Sequence, residues 1–198
     1  MLRLPARYTK PLSDHFITDG DKLIRLAEVA WATPDGNGAF QLDEWQKWLL
    51  RHMLERYPAD HPKHPGELRY RQIVVSMGRQ NGKSVLGGLL AGVYGFLMHV
   101  PGANMLSLAS SLEQAQIIYD RVLFVVRNNP FMRKRFKRAT ETRGIMTADG
   151  AGKYKVLPAK ESALQGLPIS LCLFDELHLA KKACGARQFW ALRRVMMA

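Results

Sequence analysis

Residues 71–98 read RQIVVSMGRQNGKSVLGGLLAGVYGFLM, and this stretch narrows the fold more than any other in the chain. RQIVVSM has the β-branched composition of a buried strand. A glycine-containing turn follows, then an apolar helix from about Lys83 to Met98. Gly82, Lys83 and Ser84 fit the last three positions of G-x-x-x-x-G-K-[ST], a loop whose backbone N–H groups cradle phosphates. The first glycine of that pattern falls at Met77, and a glycine stands one place later, at Gly78. A turn from strand to helix aims successive N–H groups inward, and the helix N-terminus adds partial positive charge. Lys83 is then expected to reach the β- and γ-phosphates, and the Ser84 hydroxyl to ligate Mg²⁺. Gly87, Gly88, Gly92 and Gly95 make this helix intrinsically weak, and close packing against a sheet is the expected compensation.

A second motif completes the chemistry. ISLCLF (169–174) reads as a buried strand and ends in DELH, placing Asp175 and Glu176 at its tip, 92 residues after Lys83. Asp175 is expected to hold Mg²⁺, directly or through water, and Glu176 to orient and deprotonate an attacking water. Between the motifs lie a strand, NMLSLAS (104–110), a helix capped by Ser110 with Glu113, and a hairpin over 144–159 turning near Asp149–Gly152. The last 18 residues read as helical. Upstream, KLIRLAEVAWA suggests a short helix, residues 40–57 an amphipathic one, and the proline-rich 57–67 a loop. Strands alternating with helices predict an α/β P-loop NTPase: a mostly parallel central sheet flanked by helices, ending after the Walker B strand. Residues 1–66 form an N-terminal helical segment in this reading, and 67–198 an incomplete ATPase core.

Composition limits the partners. There are 29 Lys plus Arg against 17 Asp plus Glu, a net charge of +12, which favours a polyanion, nucleic acid first. FMRKRFKR (131–138) holds five of those cations, suited to phosphate contacts along DNA or to a solvated helix face. Cys172 and Cys184 have no metal-ligand spacing and read as reduced, structural thiols. The N-terminus lacks a signal peptide's apolar run, and VLGGLLAGVYGFLMHV is too short to span a bilayer, so a cytoplasmic protein without a membrane partner is expected.

Together these residues resemble the N-terminal ATPase part of the tailed-phage terminase large subunit, the motor that packages viral DNA. SMGRQNGKS is similar to that family's phosphate loop, with Arg79 and Gln80 in its characteristic places, and DELH to its acidic strand end, with His178. SLEQAQIIYDRV and SALQGLPISLCLF resemble its neighbouring segments; FQLDEWQKWLL resembles its adenine-recognising segment, with Gln46 as reader. The resemblance covers roughly residues 40–190. It implies ATP bound through Gly78, Arg79, Gln80, Asn81, Gly82, Lys83 and Ser84, with Arg79 near the γ-phosphate. The Arg-Gln pair, in place of a first glycine, is then the loop's distinguishing feature. It also implies double-stranded DNA, a portal protein and a terminase small subunit as partners, self-association into a ring, and work in the host cytoplasm, transiently on the procapsid. Arg138 and Arg143 are the candidates for an arginine acting between subunits. The family continues with a coupling motif, a lid and a nuclease domain, whereas this sequence has 22 residues after Glu176 and no further acidic cluster, so no DNA cleavage is expected of it. Two other readings share the motifs: a DExH-type nucleic-acid-dependent ATPase, and a nucleotide- or portal-binding module without hydrolysis.

Overall fold

The computed structural model describes residues 7–32, 39–78, 80–98, 103–140, 144–158, 169–175 and 195–197, with the side chains of 138, 140, 158 and 195–197 left aside. In chain order the elements are β1 (Ile17–Thr18), α1 (Gly20–Ala30), α2 (Glu44–Met53), β2 (Glu55–Arg56), β3 (Gln72–Val74) and α3 (Lys83–Leu89). After α3 come a π-helical segment (Leu90–Met98), β4 (Asn104–Ala109), α4 (Leu112–Asn128), α5 (Pro130–Arg133) and β5 (Phe136–Thr140). The last four are β6 (Gly144–Thr147), β7 (Lys153–Pro158), β8 (Leu171–Phe174) and β9 (Val195–Met197).

Seven strands form one sheet in the order β3-β9-β8-β4-β7-β6-β5. From β3 to β7 every pairing is parallel; β6 and β5 add an antiparallel hairpin edge. β4 and β8 lie inside the sheet, and their apolar runs MLSLA and LCLF are buried throughout, as strands covered on both faces must be. The polar atoms there are paired. Ser107 on β4 and Tyr154 on β7 share a 2.6 Å hydrogen bond, and burial raises the Tyr154 phenol's pKa. Cys172 on β8 is a free, buried thiol pushed up to about 12 by burial alone, the state of an unreactive packing residue; Cys184 lies outside the described residues.

α1 and α2 pack onto the α3 side of this core rather than apart from it, for Leu23, Ala27, Trp31 and Leu50 share one apolar cluster with Leu86, Val93 and Ile118. The helix glycines show how close the packing is. A Cβ on Gly88 would lie 2.7 Å from the Trp31 ring, one on Gly87 3.1 Å from Ile118 of α4, and one on Gly95 would overlap Met105 of β4. Of these, only Gly95 meets the sheet; the others make room for neighbouring helices, which corrects the expectation of sheet packing throughout. The expected single helix also changes character at Leu90. The segment LAGVYGFLM is apolar on all sides, so no polar stripe fixes its register, and its small residues admit neighbours into the backbone groove.

Three further expectations shift. Ser111, not Ser110, caps α4: its side chain accepts the Gln114 N–H at 3.2 Å, while the Ser110 hydroxyl bonds the Gln114 side chain. The basic run is not one helix. Pro130 starts a four-residue turn, capped by Asn129, that gives way to β5 at Phe136, whose ring packs edge-on against Phe96 at 4.8 Å. Within the last 18 residues, Val195–Met197 is a strand inserted between β3 and β8, because the β-branched and apolar VMM suits a gap buried between parallel neighbours.

The helix crossing at Gly20 yields a direct test. A Cβ there would stand 2.5 Å from the Arg51 Cα on α2, a backbone atom that cannot turn aside. Gly20→Ala is expected to cost about 1–3 kcal/mol, read as a lower urea midpoint with an unchanged slope; an unaltered midpoint would mean that α1 and α2 meet less closely.

Candidate nucleotide-binding site

The site stands at the carboxyl ends of the parallel strands, where ligands of open α/β sheets collect. β3 leads into the loop 75–82, and α3 starts at Lys83. Two of the described residues there are left-handed: Gly82, the N-cap of α3, at φ 74°, and Gln80 at φ 61°. Gly82 suits that conformation for want of a Cβ, and crowding adds to the requirement, because a Cβ would stand 3.0 Å from Gln46 Nε2. A non-glycine residue at positive φ is uncommon and costs energy, so Gln80 marks a conformation that its surroundings impose. The Asn81 amide closes the turn by donating to the Gly78 carbonyl at 3.2 Å, and the Leu86 N–H donates to the Gly82 carbonyl at 3.0 Å to start the helix. The loop is therefore braced from within, and Gly78, Gln80 and Asn81 remain exposed on its outer side.

Lys83 is half-buried and lines a small cavity of about 20 Å³ together with Met77, Leu86, Leu173 and Phe174. The lysine of the loop and the end of β8 thus share one space, although β9 separates their strands. Two strand spacings put β3 and β8 roughly 10 Å apart. Asp175 follows at once, buried, with its N–H donated to the Leu108 carbonyl at 2.9 Å, so β4 fixes the backbone that carries this carboxylate. Ser84, in the first turn of α3, is half-buried. A hydroxyl and a carboxylate are oxygen donors of the kind a hard cation such as Mg²⁺ takes, and the set fits that ion. Arg79, Glu176, His178 and Arg143 lie outside the described residues, as does the Arg138 side chain.

Gln46 stands closer to the loop than its place in the sequence suggests. It is the third residue of α2, and its Oε1 accepts the Asp43 N–H at 2.9 Å in a reciprocal capping box. Its Nε2 is the atom that faces Gly82. A second cleft, of about 200 Å³, runs along β3 and is lined by Tyr8, Trp48, His52, Tyr70, Gln72 and Ser76. The Trp48 and His52 rings lie 3.9 Å apart, and Tyr8 meets Trp48 edge-on at 5.1 Å. The spacing of Trp48 and His52, one helical turn apart, shows in the sequence; their meeting with Tyr8, 40 positions upstream of Trp48, does not.

A parallel sheet with a lysine-bearing phosphate-loop turn and an acidic strand end gathered at its carboxyl edge defines a P-loop ATPase core. Residues 61–191 match the terminase large subunit ATPase domain, and the chain belongs to that family. The HK97 bacteriophage large terminase shares its fold with a TM-score of 0.72 at 20% identity, over 91% of this chain and 37% of that one. The large terminase ATPase domain of Thermus phage P74-26 superposes with a TM-score of 0.50 at 17% identity, over 67% of this chain and 61% of that one. The UvsW helicase of bacteriophage T4 also shares the fold, with a TM-score of 0.55 at 14% identity, over 90% of this chain and 58% of that one. No curated protein matches the sequence. The chain spans 37% of the HK97 terminase's length. Among the described residues no helix is long and apolar enough to cross a membrane.

Proposed function

We propose that this chain is the ATP-hydrolysing module of a DNA-packaging motor. The observation that carries the reading is the meeting of Lys83 with the end of β8 in one cavity, within a chain of the terminase ATPase family. ATP binds with its phosphates in the loop 78–84, cradled by backbone N–H groups and the start of α3. Lys83 pairs with the β- and γ-phosphates, and Arg79 sets a guanidinium beside the γ-phosphate. Gln46 meets the adenine: Nε2 is a donor, and Oε1, though engaged with Asp43, keeps a second lone pair. Ser84 and Asp175 hold Mg²⁺, which when bound neutralises charge on the phosphate oxygens. Glu176 takes the proton of the attacking water.

Hydrolysis then drives double-stranded DNA into a procapsid, the subunits working as a ring on a portal protein with a small subunit as partner, in the host cytoplasm. The family membership and the net charge of +12 support this assignment. Lys83→Ala tests it: ATP affinity is expected to fall at least 10-fold and turnover by about 100-fold or more, measured by nucleotide fluorescence and phosphate release. Binding and turnover both indifferent to Lys83 would end the reading.

A further inference from the structure

We infer that the β5–β7 end of the sheet is the surface that grips duplex DNA, through Arg133, Lys134, Arg135, Lys137, Lys153 and Lys155. The inference takes its ligand from the packaging reading and adds the place where the ligand sits.

The first support is how the cations are partnered. Among the described residues, four cations of the N-terminal part are paired within the chain: Lys47 with Glu28 and Glu44, Arg51 with Asp21, Arg56 with Asp19, and Arg69 with Glu55. These cations are committed to holding α1, α2 and β2 together. At the other end, residues 127–158 contain nine Lys and Arg against two acids, Glu141 and Asp149. All six residues named above are exposed, and among the described residues none of them forms an ion pair. Asp149 is occupied: its carboxylate accepts from the Thr147 hydroxyl and the Ala151 N–H, and these bonds lower its pKa. A large unbalanced charge on one end of a domain is a cost that a polyanion removes.

The second support is that the backbone gathers these residues. The Ala148 N–H donates to the Arg135 carbonyl at 2.9 Å, tying the start of β5 to the β6–β7 turn. Met146 pairs with Arg138 on one side and Lys153 on the other, so β5 and β7 lie two strand spacings apart, about 10 Å. That span is on the scale of a DNA groove, about 6–12 Å wide. Lysines on an edge strand also guard against pairing with other chains. That role does not explain Lys153 and Lys155, which stand on β7, inside the edge, or Arg133, which precedes β5.

The third support selects duplex over single strand. Single-stranded sites stack bases on exposed aromatic rings. Tyr8, the other exposed aromatic among the described residues, packs on Trp48 beside α2; at the cationic end the exposed ring is Phe131, which lies under the Arg135 guanidinium at 4.4 Å. A cationic surface without a stacking platform suits the backbone of a duplex, whose affinity comes from phosphate neutralisation.

The test compares three forms of the full chain: wild type, Lys134→Gln/Lys137→Gln/Lys153→Gln, and the control Lys10→Gln/Arg25→Gln/Lys63→Gln, which removes equal charge from exposed N-terminal positions. Binding of a 30-base-pair fluorescent duplex is followed from low to moderate salt, with ATP binding measured alongside. The first triple variant is expected to lose roughly 100-fold in affinity, and its log–log salt slope to fall by about 3, one released counterion per lost contact; the control keeps the wild-type slope, and ATP binding is unchanged in all three. Equal loss in both variants, or tighter binding of a single strand than of the duplex, overturns the surface while leaving the motor reading in place. A wild type that binds ATP but no duplex overturns both.

Discussion

Glu176→Gln is expected to lower ATP turnover by about 100- to 10,000-fold while ATP binding persists. The substitution keeps the size and polarity of the side chain and removes its basicity. A loss confined to turnover therefore reports proton removal from water and not damage to the loop. Asp175 is buried at the end of β8, its backbone held by β4. In the proposed function Asp175 serves the cation and Glu176, next in sequence, serves water. Lys83→Ala and Glu176→Gln should separate cleanly, the first weakening ATP binding and turnover together, the second turnover alone. Asp175→Asn should resemble the Lys83 variant at low Mg²⁺ and recover part of its affinity as Mg²⁺ is raised. Equal turnover in wild type and Glu176→Gln, with ATP bound by both, would favour a nucleotide-binding module without hydrolysis.

Local patterns made much of this site legible. The loop announces itself by GKS between a β-branched run and an apolar helix, and β8 by four apolar residues before two acids. The hairpin of β6 and β7 was legible for the same reason: its turn residues stand between two extended runs. Features that rest on tertiary contacts were not legible. Gln46 lies 36 positions before Gly82; its capping-box spacing from Asp43 is local, but nothing local tells that the other end of its amide faces the loop. The helix glycines looked like sites of sheet packing because a strand precedes them, whereas Gly88 answers to Trp31 and Gly87 to Ile118. β9 read as helix because a three-residue strand has no period of its own; its place between β3 and β8 gives it hydrogen bonds on both sides. The basic segment was ambiguous because charge hides periodicity, and Phe136 resolves it by turning inward onto Phe96.

Glu55→Ala is expected to destabilise the fold by about 3–5 kcal/mol, a large part of a typical domain's stability. Glu55 is a fully buried carboxylate on β2, and three donors converge on it. The Leu12 N–H reaches Oε1 at 2.8 Å; Arg69 Nη1 at 2.7 Å and the Tyr70 hydroxyl at 3.2 Å reach Oε2. Arg69 also donates to the Lys10 carbonyl, so one ion pair ties residues 10–12 to the segment entering β3. Burial, and then the nearby Glu55 charge, push the Tyr70 phenol up to about 12, so it stays a donor at neutral pH. Truncating Glu55 strands all three donors. Arg69 keeps 18% side-chain exposure, which gives it some water and sets the loss near the lower end of the range. Glu55→Leu/Arg69→Met removes both charges and should recover more than half of that loss, since the cost lies in the unpaired partner and not in the absent bridge. Urea midpoints of the three proteins decide it. Because Tyr8 and Tyr70 line the cleft along β3, the single variant should also loosen that cleft and the double variant restore it, readable as protection of the Tyr8 and Tyr70 amides from hydrogen exchange. A Glu55→Ala protein as stable as wild type would mean that water reaches this carboxylate and that the bridge is peripheral.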